Sequence, residues 1–193
     1  MITYRLDSEN RLVDVGGDWE QFARDNDGDG LSRDYVVGRP LFAFIEGPSI
    51  VQMYRAIFNK VRQTQKIIAF DFRCDAPVCR RRIRLQVAPG TDDSVELTAA
   101  IVESTVREPV PLFDKKVPRS QEKICICCIC SDVQSEGRRW VGIEEETTRL
   151  KLMESDAIPQ LSYGYCPRCL EAQIKMLESL GATSSASPEN ASR

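Results

Sequence analysis

Two pairs of thiols are the part of this sequence best equipped for chemistry. Cys127-Cys128-Ile129-Cys130 and Cys166-Pro167-Arg168-Cys169 are both C-x-x-C, with 35 residues between them. Two residues between thiolates let a tight turn aim both sulfurs at one tetrahedral ion about 2.3 Å away, and two such knuckles close an all-sulfur shell. The chain has eight cysteines and no histidine. The lack of histidine removes Ser-His-Asp and Cys-His catalysis, His-ligated haem and every mixed Cys/His zinc shell. The expected cofactor is a structural Zn²⁺ held by Cys127, Cys130, Cys166 and Cys169. An iron–sulfur centre takes the same ligands. A redox C-x-x-C is a third use of such a pair, although neither pair sits in a βαβ context. Free cysteines also bury as small apolar residues. Cys125-Ile126-Cys127-Cys128 is a further C-x-x-C in shifted register, so Cys125 or Cys128 could replace one of the four.

Other motifs carry less. Asp25-Asn26-Asp27-Gly28-Asp29-Gly30 opens like a calcium loop, but the ninth position is Arg33 and the twelfth, which needs a bidentate Glu, is Val36. A solvated Asp/Gly turn is the simpler expectation. Asp75 is expected to pair with Arg80 or Arg81 across the turn at Pro77, as an exposed pair of little energetic weight. Leu170, Ile174, Leu177 and Leu180 share a helical stripe that is expected to form the core of a small C-terminal module.

The elements that must position these residues divide the chain. Ile2, Tyr4 and Leu6 alternate, and Leu12 to Val15 makes a second strand. Asp18, with Gln21 three residues on, caps a short helix burying Trp19, Phe22 and Ala23. Leu41 to Ile45 forms a helical turn, and Pro48 opens a longer helix with Ile50, Met53, Tyr54, Ile57, Phe58 and Val61 on one face. Alternation then predicts strands at Ile68 to Cys74, Ile83 to Val87 and Val95 to Ile101. The economical fold is α+β: a five-stranded antiparallel sheet with helices on one face. The expected domain is 1–104. The prolines of 105–123 suggest a linker, the cysteine-rich zinc module spans 124–181, and 182–193 is a Ser/Ala/Pro/Asn tail expected to be disordered. A helix from about Gly142 to Glu154 and one opened by Pro167 belong to the module.

Composition narrows the class. Net charge is −3, and Thr105 to Trp140 holds seven Lys/Arg against five Asp/Glu, which argues against a nucleic-acid surface. No apolar run approaches the roughly 20 residues of a membrane span, and Met1 to Asp7 has no secretory signature. A cytoplasmic location is expected.

The element order and the segments Asp18 to Ala23, Val37-Gly38-Arg39-Pro40-Leu41-Phe42 and Phe70 to Arg81 resemble a PAS domain, in one bacterial branch of that family. The resemblance implies a small-molecule pocket between the sheet and the central helices. The C-terminal module resembles a short element at the end of bacterial PAS and receiver-type signalling proteins, with the pattern C-x-x-C, a polar stretch with a Trp, then S-H-G-I-C-P-x-C. Here these are Cys127 to Cys130, Trp140, and Ser162 to Cys169, with Tyr163 where the pattern has His. The resemblance selects Cys127 with Cys130 over the shifted register. The reactive cysteine motif of flavin-binding relatives is not evident and the haem-ligating His is missing, which argues against both cofactors.

The implied function is a sensory or regulatory protein without catalytic activity. Its PAS-like domain would sense a small molecule or partner, and its four-cysteine, zinc-ribbon-like module would mediate interaction with a protein partner or a second copy. The alternatives are a transcriptional regulator binding nucleic acid through the module, supported by Arg138-Arg139-Trp140 and Lys115-Lys116, and a thiol or iron–sulfur redox sensor.

Overall fold

Alternating side chains build the first sheet. In the computed structural model, which describes residues 1–25, 28 and 30–180, β1 (Ile2–Leu6), β2 (Leu12–Gly17), β3 (Ile68–Arg73), β4 (Cys79–Pro89) and β5 (Val95–Val106) pair antiparallel in the order β2-β1-β5-β4-β3. Register sets Tyr4 opposite Leu97, Leu85 opposite Ala99 and Ile68 opposite Val87. Period-two alternation puts Ile83, Leu85 and Val87 on one face, each at most 3% exposed. The other face carries charge: Arg82 and Arg84 both clasp Asp71, at 2.5 and 2.7 Å.

Helices cover the apolar face. They are α1 (Trp19–Asp25), α2 (Arg33–Val36), a 3-10 turn at Leu41–Phe44, and α3 (Pro48–Thr64). Pro48 pre-sets the first turn of α3, and Ile50, Met53, Ile57, Phe58 and Val61 form its buried stripe. The expected capping box at α1 is not made, because Gln21 reaches forward to Asp25 while the Asp18 carboxylate takes the terminal ammonium of Met1. Phe42 stacks on the fully buried Phe58, with ring centroids 6.1 Å apart.

A second sheet follows, with strands β6 (Arg119–Cys127), β7 (Val133–Gln134), β8 (Trp140–Val141) and β9 (Ile158–Gly164) in the order β8-β7-β6-β9. The pair β6 and β9 is parallel, and such a pair needs a crossover. The crossover contains α4 (Ile143–Arg149), shorter than the sequence suggests: Lys151 adopts a left-handed φ of 51°, and a 3-10 turn at Leu152–Glu154 follows. The core of this unit is Val110, Leu112, Ile124, Ile126, Val133, Ile143, Leu152 and Ile158, all buried. The segment 105–123, read from its prolines as a linker, thus holds the end of β5, a 3-10 turn with buried Leu112 and the start of β6.

The last described helix, α5 (Pro167–Ser179), packs differently from expectation. Leu170 and Ile174 are 39% and 43% exposed, whereas Met176, Leu177 and Leu180 pack against the core of the first sheet. The buried face therefore passes through Cys169 and Gln173, because Cys169 is drawn inward with the other thiols. The calcium-like loop falls partly, and the tail at 182–193 entirely, outside the described residues. No helix among the described residues is long and apolar enough to cross a membrane.

Candidate metal centre

The parallel pairing of β6 and β9 assembles the thiols. Register places Cys127 beside Gly164, and the Cys128 amide extends the ladder by donating to the Gly164 carbonyl at 2.9 Å. Each strand then leads into its knuckle. After β6 the chain turns tightly: Cys127 N–H donates to Asp132 and Ser131 N–H donates back to Cys127, with Ser131 at φ 60°. After β9, Cys166 serves as N-cap of α5, its sulfur accepting the Cys169 amide at 3.4 Å, and Pro167 occupies the first turn.

The Sγ atoms of Cys127, Cys130, Cys166 and Cys169 lie within 4.8 Å of one another. Cys130 and Cys166 are 3.8 Å apart. A tetrahedral shell with Zn–S bonds of about 2.3 Å has an edge of about 3.8 Å, so the four sulfurs fit one ion. The sulfurs of Cys125 and Cys128 lie outside the group. Cys125 abuts Gly164, where an added Cβ would stand 3.3 Å from its sulfur. All eight cysteines are free thiols.

Crowded thiols resist ionisation. The neighbouring Cys127 thiol and burial push Cys130 well above the usual thiol range, and burial together with Cys166 pushes Cys169 up to about 12. A divalent cation inverts that balance, since coordination deprotonates a thiol outright. Arg168, 76% exposed beside the centre, pairs with Asp132 at 3.3 Å. Trp140 packs against the cluster.

A polar joint ties this centre to the first sheet. The Arg73 amide at the end of β3 donates to the Ile129 carbonyl at 2.9 Å, and Arg73 Nη1 donates to the Cys130 carbonyl at 3.1 Å. The Arg73 guanidinium also meets Asp75, whose side chain is fully buried. Arg107 reaches Asp75 at 3.1 Å and Glu144 of α4 at 3.0 Å, while Arg80 reaches Glu144 at 2.5 Å. The expected exposed pair of Asp75 with Arg80 or Arg81 is therefore replaced. Asp75 takes the side chains of Arg73 and Arg107 and, from Arg81, the backbone N–H at 3.0 Å. Burial works to raise the Glu144 pKa, but the hydrogen bond from Arg80 and the charges of Arg73 and Arg80 prevail and hold it at about 2. Arg107 and Glu144 are members of this joint that local sequence reading misses, because their partners lie 32 or more residues away.

No family model matches the sequence, and no curated protein matches it. Among solved structures, a domain of an HTR-like protein from Haloarcula marismortui ATCC 43049 is similar at 16% identity with a TM-score of 0.38, over 53% of this chain and 97% of that one.

Proposed function

We propose that this is a non-catalytic sensory or regulatory protein. Its PAS-like N-terminal domain responds to a small molecule or partner, and a structural zinc module presents that response to another protein or a second copy. The observation that carries the reading is the cluster of four sulfurs within 4.8 Å, attached through Arg73 to the edge strand of the first sheet. The sequence order of two strands, helices and three strands supports the PAS-like assignment, as does the sheet order β2-β1-β5-β4-β3. When bound, the zinc would supply cross-linking of the two knuckles. Cys127, Cys130, Cys166 and Cys169 would hold it. Such a site is compatible with the reducing cytoplasm, where thiols are available to metals.

Metal content by elemental mass spectrometry tests the reading. The intact protein is expected to carry about one zinc per chain, and Cys166→Ser to lose it. Chelation is expected to red-shift Trp140 emission. The core of Val110, Leu112 and Ile158 makes no use of the thiols, so the second sheet should retain part of its far-UV signal. Purified protein with no metal, or with iron, would overturn the zinc assignment.

A further inference from the structure

A cleft of about 550 Å³ opens where the helices of the first sheet meet the cysteine module. That volume lies in the range of small-molecule sites. One wall comes from the first sheet and its helices, through Trp19, Phe44, Tyr54 and Phe72; the other comes from Cys128, Ile129, Tyr163 and Tyr165. The wall residues of the module flank the proposed metal ligands. Cys128 and Ile129 are the two residues between Cys127 and Cys130, and Tyr165 immediately precedes Cys166. A molecule seated here would therefore touch both knuckles at once.

We propose that this cleft binds a flat aromatic molecule bearing an N–H or amino group, and that its occupancy and that of the metal site are coupled through Cys128-Ile129 and Tyr165. The proposal rests on the metal reading above. The chemistry of the lining selects the ligand class. Aromatic side chains are the commonest group in the lining, and they favour offset-stacked or edge-on aromatic partners. The Trp19 indole N–H is already committed to the Leu31 carbonyl at 2.7 Å, so Trp19 offers its carbon face. Glu46, the charged residue of the lining, is exposed and fits a donor on the ligand. Tyr163, 40% exposed, also lines the cleft. The coupling follows from the backbone. Phe72 lines the cleft, and the next residue, Arg73, holds the Ile129 and Cys130 carbonyls. Displacing the Ile129 side chain thus acts on the turn that aims two sulfurs, and losing the metal frees the wall against which the ligand rests.

The test uses the full zinc-loaded chain and N-phenyl-naphthylamine, a flat fluorescent probe with one N–H donor. We expect saturable binding of one probe per chain. Stripping zinc with a chelator should weaken it about tenfold, and saturating probe should tighten zinc binding by the same factor in an equilibrium competition with pyridylazoresorcinol, since coupling between binding sites is reciprocal at equilibrium. Tyr163→Ala and Phe72→Ala should each weaken the probe about fivefold while zinc content stays at the unsubstituted level. Tyr163 is exposed enough to be replaced without loss of folding. Zinc-loaded protein that binds no probe overturns the ligand site and leaves the metal reading standing. Probe binding insensitive to both substitutions is surface adsorption and overturns it equally. Probe binding that ignores zinc, with zinc affinity that ignores probe, overturns the coupling alone. A chain that takes no zinc overturns the metal reading and the coupling with it.

Discussion

Replacing Arg73 with methionine isolates the joint between sheet and knuckle. The substitution keeps the Arg73 amide bond to Ile129 but removes the guanidinium from Asp75, Glu144 and the Cys130 carbonyl. Removing one partner of a buried ion pair costs about 3–5 kcal/mol when the other charge is stranded. Asp75 is fully buried, yet it retains Arg107 at 3.1 Å and the Arg81 N–H at 3.0 Å. Arg73→Met should therefore cost about 2–3 kcal/mol, at the lower end of that range or just below it. Arg80→Met supplies the contrast: Arg80 is 50% exposed and touches Glu144 alone among these acids, so about 0.5 kcal/mol is expected. Urea unfolding followed by circular dichroism reads the difference. With a slope of about 2–3 kcal/mol per molar, Arg73→Met should lower the midpoint by about 1 M and Arg80→Met by about 0.2 M. Equal effects of the two substitutions, or an Arg73→Met midpoint within about 0.2 M of the unsubstituted protein, would refute the view that Asp75 and Arg73 form the centre of the joint.

Glu144 titrates at about 2 in the folded chain against 4.5 ordinarily, so its contribution is complete above pH 4.5 and is lost as pH falls toward 2. At ~1.4 kcal/mol per pH unit this is ~3.5 kcal/mol at most, and screening of a side chain 37% exposed reduces it to about 1 kcal/mol. Glu144→Gln should flatten the acid limb of stability against pH in that window. Gly47 has φ 96° and an added Cβ would lie 2.7 Å from the Tyr163 carbonyl oxygen, so Gly47→Ala should cost about 1–3 kcal/mol in thermal unfolding. Gly137 has φ 70° but open space around it, and its alanine variant should lose only the left-handed penalty of about 1–2 kcal/mol.

The first sheet was legible because Ile68, Phe70 and Phe72 alternate with Ala69 and Asp71, and Ile83, Leu85 and Val87 alternate with the exposed Arg84 and Gln86. Its pairing order was not, since alternation assigns faces and not neighbours. In the second sheet the signal was masked. Ile124 and Ile126 alternate with Cys125 and Cys127, and a cysteine is as apolar as its neighbours, so the strand reads as a thiol cluster. Strands β7 and β8 have two residues each, too few for any period. The four-sulfur group was visible in its spacing, because C-x-x-C is a local motif. The Arg73, Arg107 and Glu144 joint has no such signature: its charges come from three distant segments, and Glu144 reads as one of three consecutive acids. The stripe on α5 misled because Leu170 and Ile174 stand at helical spacing yet are exposed, the helix being rotated by the demand of Cys169.

Helix α5 gives the molecule an order of assembly. Its Met176, Leu177 and Leu180 complete the core of a sheet whose strands all precede Arg107, so on the ribosome the N-terminal sheet emerges some sixty residues before its final covering. At about 5–20 residues per second this leaves several seconds with an unfinished core. Over the last part of that interval the nascent chain carries the first knuckle without the second, offering a passing metal two of the four sulfurs. Stable metallation and closure of the N-terminal core therefore become possible only in the same late stretch of synthesis, once Cys166 to Leu180 has emerged.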